Sequence, residues 1–251
     1  MRCLVIHGSP RRGNTYDVLE KVILKLKDIE NLDIEIIELR KENIPLCIGC
    51  FNCILKGEDR CPHRNNMESL IKKINESEVL IFTSPVYSMQ ISGLMKNFID
   101  HLSFNFHRPK FIGKKALVIT TTAGAGHKNS ANYLRDVLKY HGITEILTLP
   151  IAYRASTLND KNLKLIDKQS EKFKSIIENK NIKNASFKQV MMYNFWRGMD
   201  KSEGMEADEK FYLENNRVYY DESKVNFLYK IFGNLAYKVI KKWYGFFHIT
   251  F

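Results

Sequence analysis

Cys47, Cys50, Cys53 and Cys61 stand in the segment CIGCFNCILKGEDRC, with the spacing Cys-x2-Cys-x2-Cys-x7-Cys. Thiolates at that spacing have three uses. Three of them, two residues apart, can wrap three corners of an iron–sulfur cubane while the fourth closes it from across the loop. Four sulfurs can instead hold a zinc ion, with His63 as a substitute ligand, or remain free as redox-active thiols. Spacing alone leaves all three open, although clustering in a reducing compartment argues for a metal or redox site over a disulfide framework. The fifth cysteine, Cys3, falls inside an apolar run and reads as a small buried hydrophobe.

A second chemistry is written in the first fifteen residues, MRCLVIHGSPRRGNT. Leu4, Val5 and Ile6 continue the apolar run from Cys3, Gly8, Ser9 and Pro10 break it, and Asn14 and Thr15 offer caps before an amphipathic stretch over Val18–Leu26. A strand that empties onto a helix N-terminus presents free backbone N–H groups and the positive end of the helix dipole, which together suit a phosphate. Ser9, Asn14 and Thr15 add side-chain donors, the amides of Arg11–Asn14 lie beside them, and Arg11 and Arg12 add charge.

The elements that must position these groups alternate through the first two-thirds of the chain. Strands are expected over Cys3–Ile6, Asp33–Leu39, Val79–Thr83, Ala116–Thr121 and Glu145–Leu149. Helices are expected over Val18–Leu26, Met67–Asn75, Ser92–Phe104, Ala131–Tyr140 and Asp160–Glu178, and Leu46–Asn66 is expected to be a long loop carrying the cysteines. Five such units imply a doubly wound parallel sheet with helices on both faces, whose ligand lies beyond the carboxyl ends of the strands. Three loops leave those ends with unusual chemistry: Gly8–Thr15, Ser84–Met89 and Thr121–Gly126.

Taken together, GSPRRGNT, then TSPVYSMQISGLMKNFID at 83–100, then TTTAGAG at 120–126, resemble the NAD(P)H-dependent FMN reductases of the flavodoxin-like fold over roughly residues 1–180. The resemblance implies a five-stranded flavodoxin-like sheet that binds FMN and uses NAD(P)H as co-substrate. Its phosphate would lie on Ser9, Arg11, Asn14 and Thr15. Pro85 would fix the second loop, Tyr87 would lie against the flavin or its ribityl chain, and Val86 and Ser88 would offer backbone contacts. In the third loop Thr122 and Ala123 would flank the ring, with Gly124 and Gly126 letting the backbone approach it. Lys96 and Asp100 match a lysine and an aspartate of the family and, four apart on a helix, read as a structural ion pair. The cysteine segment looks like the compact motif of the iron-sulfur flavoproteins, a branch that carries a [4Fe–4S] cluster on cysteines here matched by Cys47, Cys50, Cys53 and Cys61. The chain departs from the family at Asn65 and Asn66, where an aspartate pair is typical, and at His101, where relatives often carry arginine.

The resemblance further implies a homodimer that passes electrons from the nicotinamide dinucleotide to an acceptor the sequence leaves unidentified. A flavodoxin-like carrier that docks a protein partner is the alternative, and no side chain stands out as a general acid or base. The net charge of +11 over 251 residues suits a phosphorylated ligand. The lysines are scattered, without a nucleic-acid module, so nucleic acid is not an expected partner. With no leader and no apolar run long enough to span a bilayer, a cytoplasmic location is expected. Residues 1–180 read as the FMN-binding domain and 181–251 as a mainly helical extension, joined by a polar linker over Asn179–Asn184. In the extension Val225, Leu228, Phe232, Leu235, Val239 and Trp243 follow helical spacing among lysines. Packing against the flavin domain or a second subunit is the plainer reading of that stripe. Peripheral membrane contact, with Trp243, Tyr244, Phe246 and Phe247 as anchors, is the other.

Overall fold

Continuous apolar runs, buried on both faces, organise the centre of the sheet. The computed structural model describes residues 1–154, 157–202 and 204–244, and Phe246 and Phe247 lie outside them. Its strands are β1 (Arg2–His7), β2 (Asp33–Glu38), β3 (Val79–Tyr87), β4 (Gln90–Ile91), β5 (Lys115–Thr122) and β6 (Glu145–Ala152). Among them run α1 (Asn14–Leu26), α2 (Asn52–Leu55), α3 (Arg64–Asn75), α4 (Gly93–Asp100) and α5 (His127–Tyr140), with α6 (Asp160–Glu178) after β6. The parallel order β2-β1-β3-β5-β6 is that of the flavodoxin-like sheet the sequence implies. Successive side chains point to opposite faces, so Leu4, Ile6, Leu80, Phe82 and Val118 pack on α3, α4 and α5. Cys3, Val5, Ile81, Leu117 and Leu149 pack on α1 and α6 from the other side.

Several boundaries differ from the sequence reading, each for a local reason. The Ser84–Val86 segment is the end of β3, because β4 folds back on it with Val86 opposite Ile91. The turn between them places Ser88 (φ 48°) and Met89 (φ 70°) in the left-handed region. Helix α1 is capped by Gly13 without a side-chain bond, so Asn14 and Thr15 sit inside the helix. The cysteine segment holds α2 and a 3-10 turn over Glu58–Arg60, and α3 begins at Arg64.

Beyond α6 the chain forms α7 (Phe187–Gly198), α8 (Glu206–Glu214) and α9 (Phe227–Tyr244) around a small core of Val190, Tyr193, Tyr212, Val218 and Tyr219. Ser186 and Gln189 form a capping box at the start of α7. The Gln189 amide also donates to the carbonyls of Lys139 (2.9 Å) and Ile143 (3.1 Å), satisfying the end of α5. Helices α7 and α9 meet through glycines: a Cβ on Gly233 would lie 2.7 Å from Asn194 Nδ2, and one on Gly198 would lie 2.8 Å from Ile240 Cγ2. The apolar stripe named above therefore turns away from the core. Leu228, Phe232, Leu235, Val239 and Trp243 are exposed, whereas Val225 precedes the helix and is buried. No helix among the described residues is long and apolar enough to cross a membrane.

Candidate functional site

The three loops converge at the carboxyl edge of the sheet. Ser9, Arg11, Asn14 and Thr15 from the first, Pro85, Val86 and Tyr87 from the second, and Thr122 and Ala123 from the third line one cavity of ≈ 270 Å³. Side-chain bonds set the loops: Ser9 Oγ donates to the Arg11 carbonyl (2.7 Å), and Thr15 and Thr121 hydroxyls lie 2.7 Å apart, tying α1 to β5. Asn14 Nδ2 donates to the Tyr153 carbonyl (3.3 Å). The Asn14 and Thr15 amides at the start of α1 have no intrahelical partner, the Tyr16 amide donates back to the Gly13 carbonyl (2.6 Å), and no side chain caps the helix. That supplies the anion-binding end a flavin phosphate requires. Tyr87 is exposed at the rim, free of core packing. A Cβ at Gly124 would meet open space, consistent with a flat ligand above it. The residues present thus fit FMN.

Two residues of these loops have other work. Gly126 adopts φ 90°, and a Cβ there would lie 2.9 Å from Met89 Cα, so it is glycine to admit the β3–β4 turn. It does not line the cavity, nor does Ser88, which sits in that turn. Arg12 turns to Glu38, 2.7 Å away, and stacks over the Tyr16 ring. Hydrogen bonds from Arg12 and Lys41, joined by Arg40, hold the Glu38 carboxyl down at about 2. Arg11 is the arginine left facing the cavity. Below the loop His7 is fully buried with Nδ1 2.7 Å from Thr83 Oγ1, and desolvation lowers its pKa.

Cys47, Cys50, Cys53 and Cys61 all line a second, smaller cavity of ≈ 70 Å³ together with His63 and His101. All are free thiols. Burial and then the neighbouring Cys61, Cys47 and Cys50 push the Cys53 thiol up to about 11. Among the described residues no three His, Cys, Asp or Glu groups converge closely enough for a single ion. Cys3 is buried in β1, its thiol raised to about 12 by desolvation.

Helix α4 links the two sites. Ser92 at its N-cap accepts from Met95 N (3.2 Å) and donates to the Gly8 carbonyl (2.5 Å) of the first loop. One face further on, Asn97 Oδ1 accepts from Cys47 N (2.9 Å), and its amide donates to the Pro45 carbonyl (3.0 Å). His101 is buried with Nε2 2.9 Å from the same carbonyl, a structural use of that position. Lys96 and Asp100 form the ion pair that their spacing implies.

Sequence reasoning missed the brace behind the cysteines. Arg108 is buried and donates to the carbonyls of Cys53 (2.6 Å) and Ile54 (2.8 Å) while pairing with Asp208 of α8. Asp208, itself fully buried, also meets His107 Nδ1 at 2.8 Å, and the His107 ring stacks on Trp196. The available signal was weak: an arginine before a proline, a hundred residues from its carboxylate.

Residues 1–154 match the family described as NADPH-dependent FMN reductase. The iron-sulfur flavoprotein of Archaeoglobus fulgidus is 31% identical over 230 residues, covering 87% of this chain and 100% of that relative. An iron-sulfur flavoprotein of Clostridioides difficile is 31% identical over 184 residues, 70% of this chain and 79% of that protein. Among solved structures, the apo form of an NADH:FMN oxidoreductase superposes with a TM-score of 0.54 at 19% identity, covering 70% of this chain and 89% of the other, a likeness of fold.

Proposed function

The chain belongs to the NADPH-dependent FMN reductase family, and from that premise we propose that this oxidoreductase holds FMN on its three loops and a [4Fe–4S] cluster on Cys47, Cys50, Cys53 and Cys61. Bound FMN supplies hydride acceptance from NAD(P)H, and a cluster beside it supplies one-electron transfer to an acceptor. The observation that carries this reading is the convergence of nine loop residues from three separate segments on one cavity beside the uncapped start of α1.

The protein's own residues bind and orient. Ser9, Arg11, Asn14 and Thr15 receive the phosphate, and Pro85 and Val86 set the wall against which Tyr87 closes. Thr122 and Ala123 form the opposite side, and Gly124 follows them just outside the lining. Asn97, through Cys47, fixes the cysteine segment to the helix that follows the second loop. Nearness of the two sites through α4 supports electron exchange between them. Residues 1–180 are the cofactor-bearing part, and assembly as a homodimer belongs to the same reading.

Anaerobic purification with quantitation of flavin, iron and sulfide, followed by NAD(P)H oxidation with quinone, flavin or oxygen as acceptor, tests the proposal. Stoichiometric FMN with iron and sulfide and measurable turnover are expected. FMN without iron or sulfide removes the cluster and keeps the flavin enzyme. Flavin binding without turnover favours the carrier alternative.

A further inference from the structure

We propose that the outward face of α9 docks the protein on an anionic lipid surface. Among the described residues the helix packs on α7, where Gly233 and Gly198 allow close approach. On its other side Leu228, Ile231, Phe232, Leu235, Val239 and Trp243 fall, at the helical repeat, within one arc of about 120°. All six are about half exposed or more, from 48% at Phe232 to 67% at Trp243. Phe187 of α7 extends the patch, its ring 6.0 Å from that of Phe232, and Phe227 at the start of the helix is 74% exposed. A contiguous apolar face of this kind on a water-soluble fold marks an interaction surface.

Charge selects the occupant. No aspartate or glutamate follows Glu222, while Lys224, Lys230, Lys238, Lys241 and Lys242 all do. Lys238 lies exposed at the edge of the apolar arc and Lys242 exposed within it, between Ile231 and Leu235, both placed to reach headgroups while their stems cover apolar surface. Lys241 stands beside them, its ammonium donating to Tyr237 Oη (2.8 Å). A second copy of the chain meeting this face about a two-fold axis would set lysine against lysine with no carboxylate of α9 between them. An anionic bilayer neutralises Lys238 and Lys242 and receives the aromatic and aliphatic groups at the acyl boundary, the pattern of an interfacial helix.

Full-length protein sedimented with phosphatidylcholine vesicles, with and without phosphatidylglycerol, tests this. Binding is expected only with phosphatidylglycerol, weakening as salt rises. Leu235→Glu, and separately Lys238→Glu with Lys242→Glu, should each lower the partition coefficient at least about tenfold. Both changes lie on exposed positions, and an unchanged thermal midpoint shows that the fold is intact. Absence of binding to either vesicle, equal binding to both, or binding indifferent to Leu235→Glu overturns the proposal. Concentration-dependent dimerisation that Leu235→Glu abolishes, without vesicle binding, overturns it in favour of a second copy.

Discussion

His141 ends α5 fully buried between Phe106 and Phe111, and desolvation lowers its pKa from 6.5 to about 3. The unfolded chain therefore binds one more proton than the folded one between those values, and stability falls as pH drops through that window. Between pH 7 and pH 5 this residue should cost about 2 kcal/mol. Urea unfolding of the wild type and His141→Phe at both pH values measures it, and the variant should lose that share of the slope. Gly124 and Gly126 separate ligand contact from backbone necessity in the same way. Gly126→Ala forces a Cβ into the Met89 backbone at φ 90° and should lower apoprotein stability by about 1–3 kcal/mol. Gly124→Ala meets nothing, so the apoprotein should melt normally while FMN affinity falls, read by flavin titration beside thermal melts.

Strands were legible as elements because each central one is buried on both faces and reads as an apolar run. Their ends were less so: Ser84–Tyr87 looked like a loop because proline and serine mask a strand that continues as half of a hairpin. Helical spacing disclosed the stripe on α9 yet not its direction, since the packed face is marked by glycine rather than by large side chains. The three segments that line the cavity at the sheet's carboxyl edge were legible from their small and hydroxyl residues. The brace of α8 on the cysteine segment was not, because a buried ion pair at a separation of a hundred residues leaves no local pattern. Its energetic consequence is testable at this scale. Asp208→Asn leaves the buried Arg108 guanidinium with only the more distant carboxylate of Glu58 (3.8 Å) and should destabilise the fold by about 3 kcal/mol. Alkylation of Cys53 in the apoprotein should accelerate in the same variant as the segment loosens, whereas an unchanged rate would confine Asp208 to packing.

Across the whole molecule, the extension braces one site and leaves the other alone. The cavity proposed for FMN is lined by residues of the three loops and, among the described residues, by none of α7, α8 or α9. The cysteine segment, by contrast, hangs on Arg108, whose carboxylate comes from α8, and α5 ends on the Gln189 amide of α7. Removing residues 181–251 strips both supports, while removing 227–251 keeps α8 and Asp208 in the chain. The shorter deletion should therefore retain iron and flavin, although it bares Val190 and Val218 where α9 packed and lowers the melting temperature. The longer deletion should keep flavin per folded chain near the wild-type ratio and lose most of its iron, because Arg108, left with only the part-exposed Glu58 carboxylate 3.8 Å away, must shift toward it and toward water and draw the Cys53 and Ile54 carbonyls with it. Flavin absorbance and metal analysis on the folded fraction of each variant decide the matter. Equal iron in both deletions would mean that the first 180 residues hold the cysteine segment unaided.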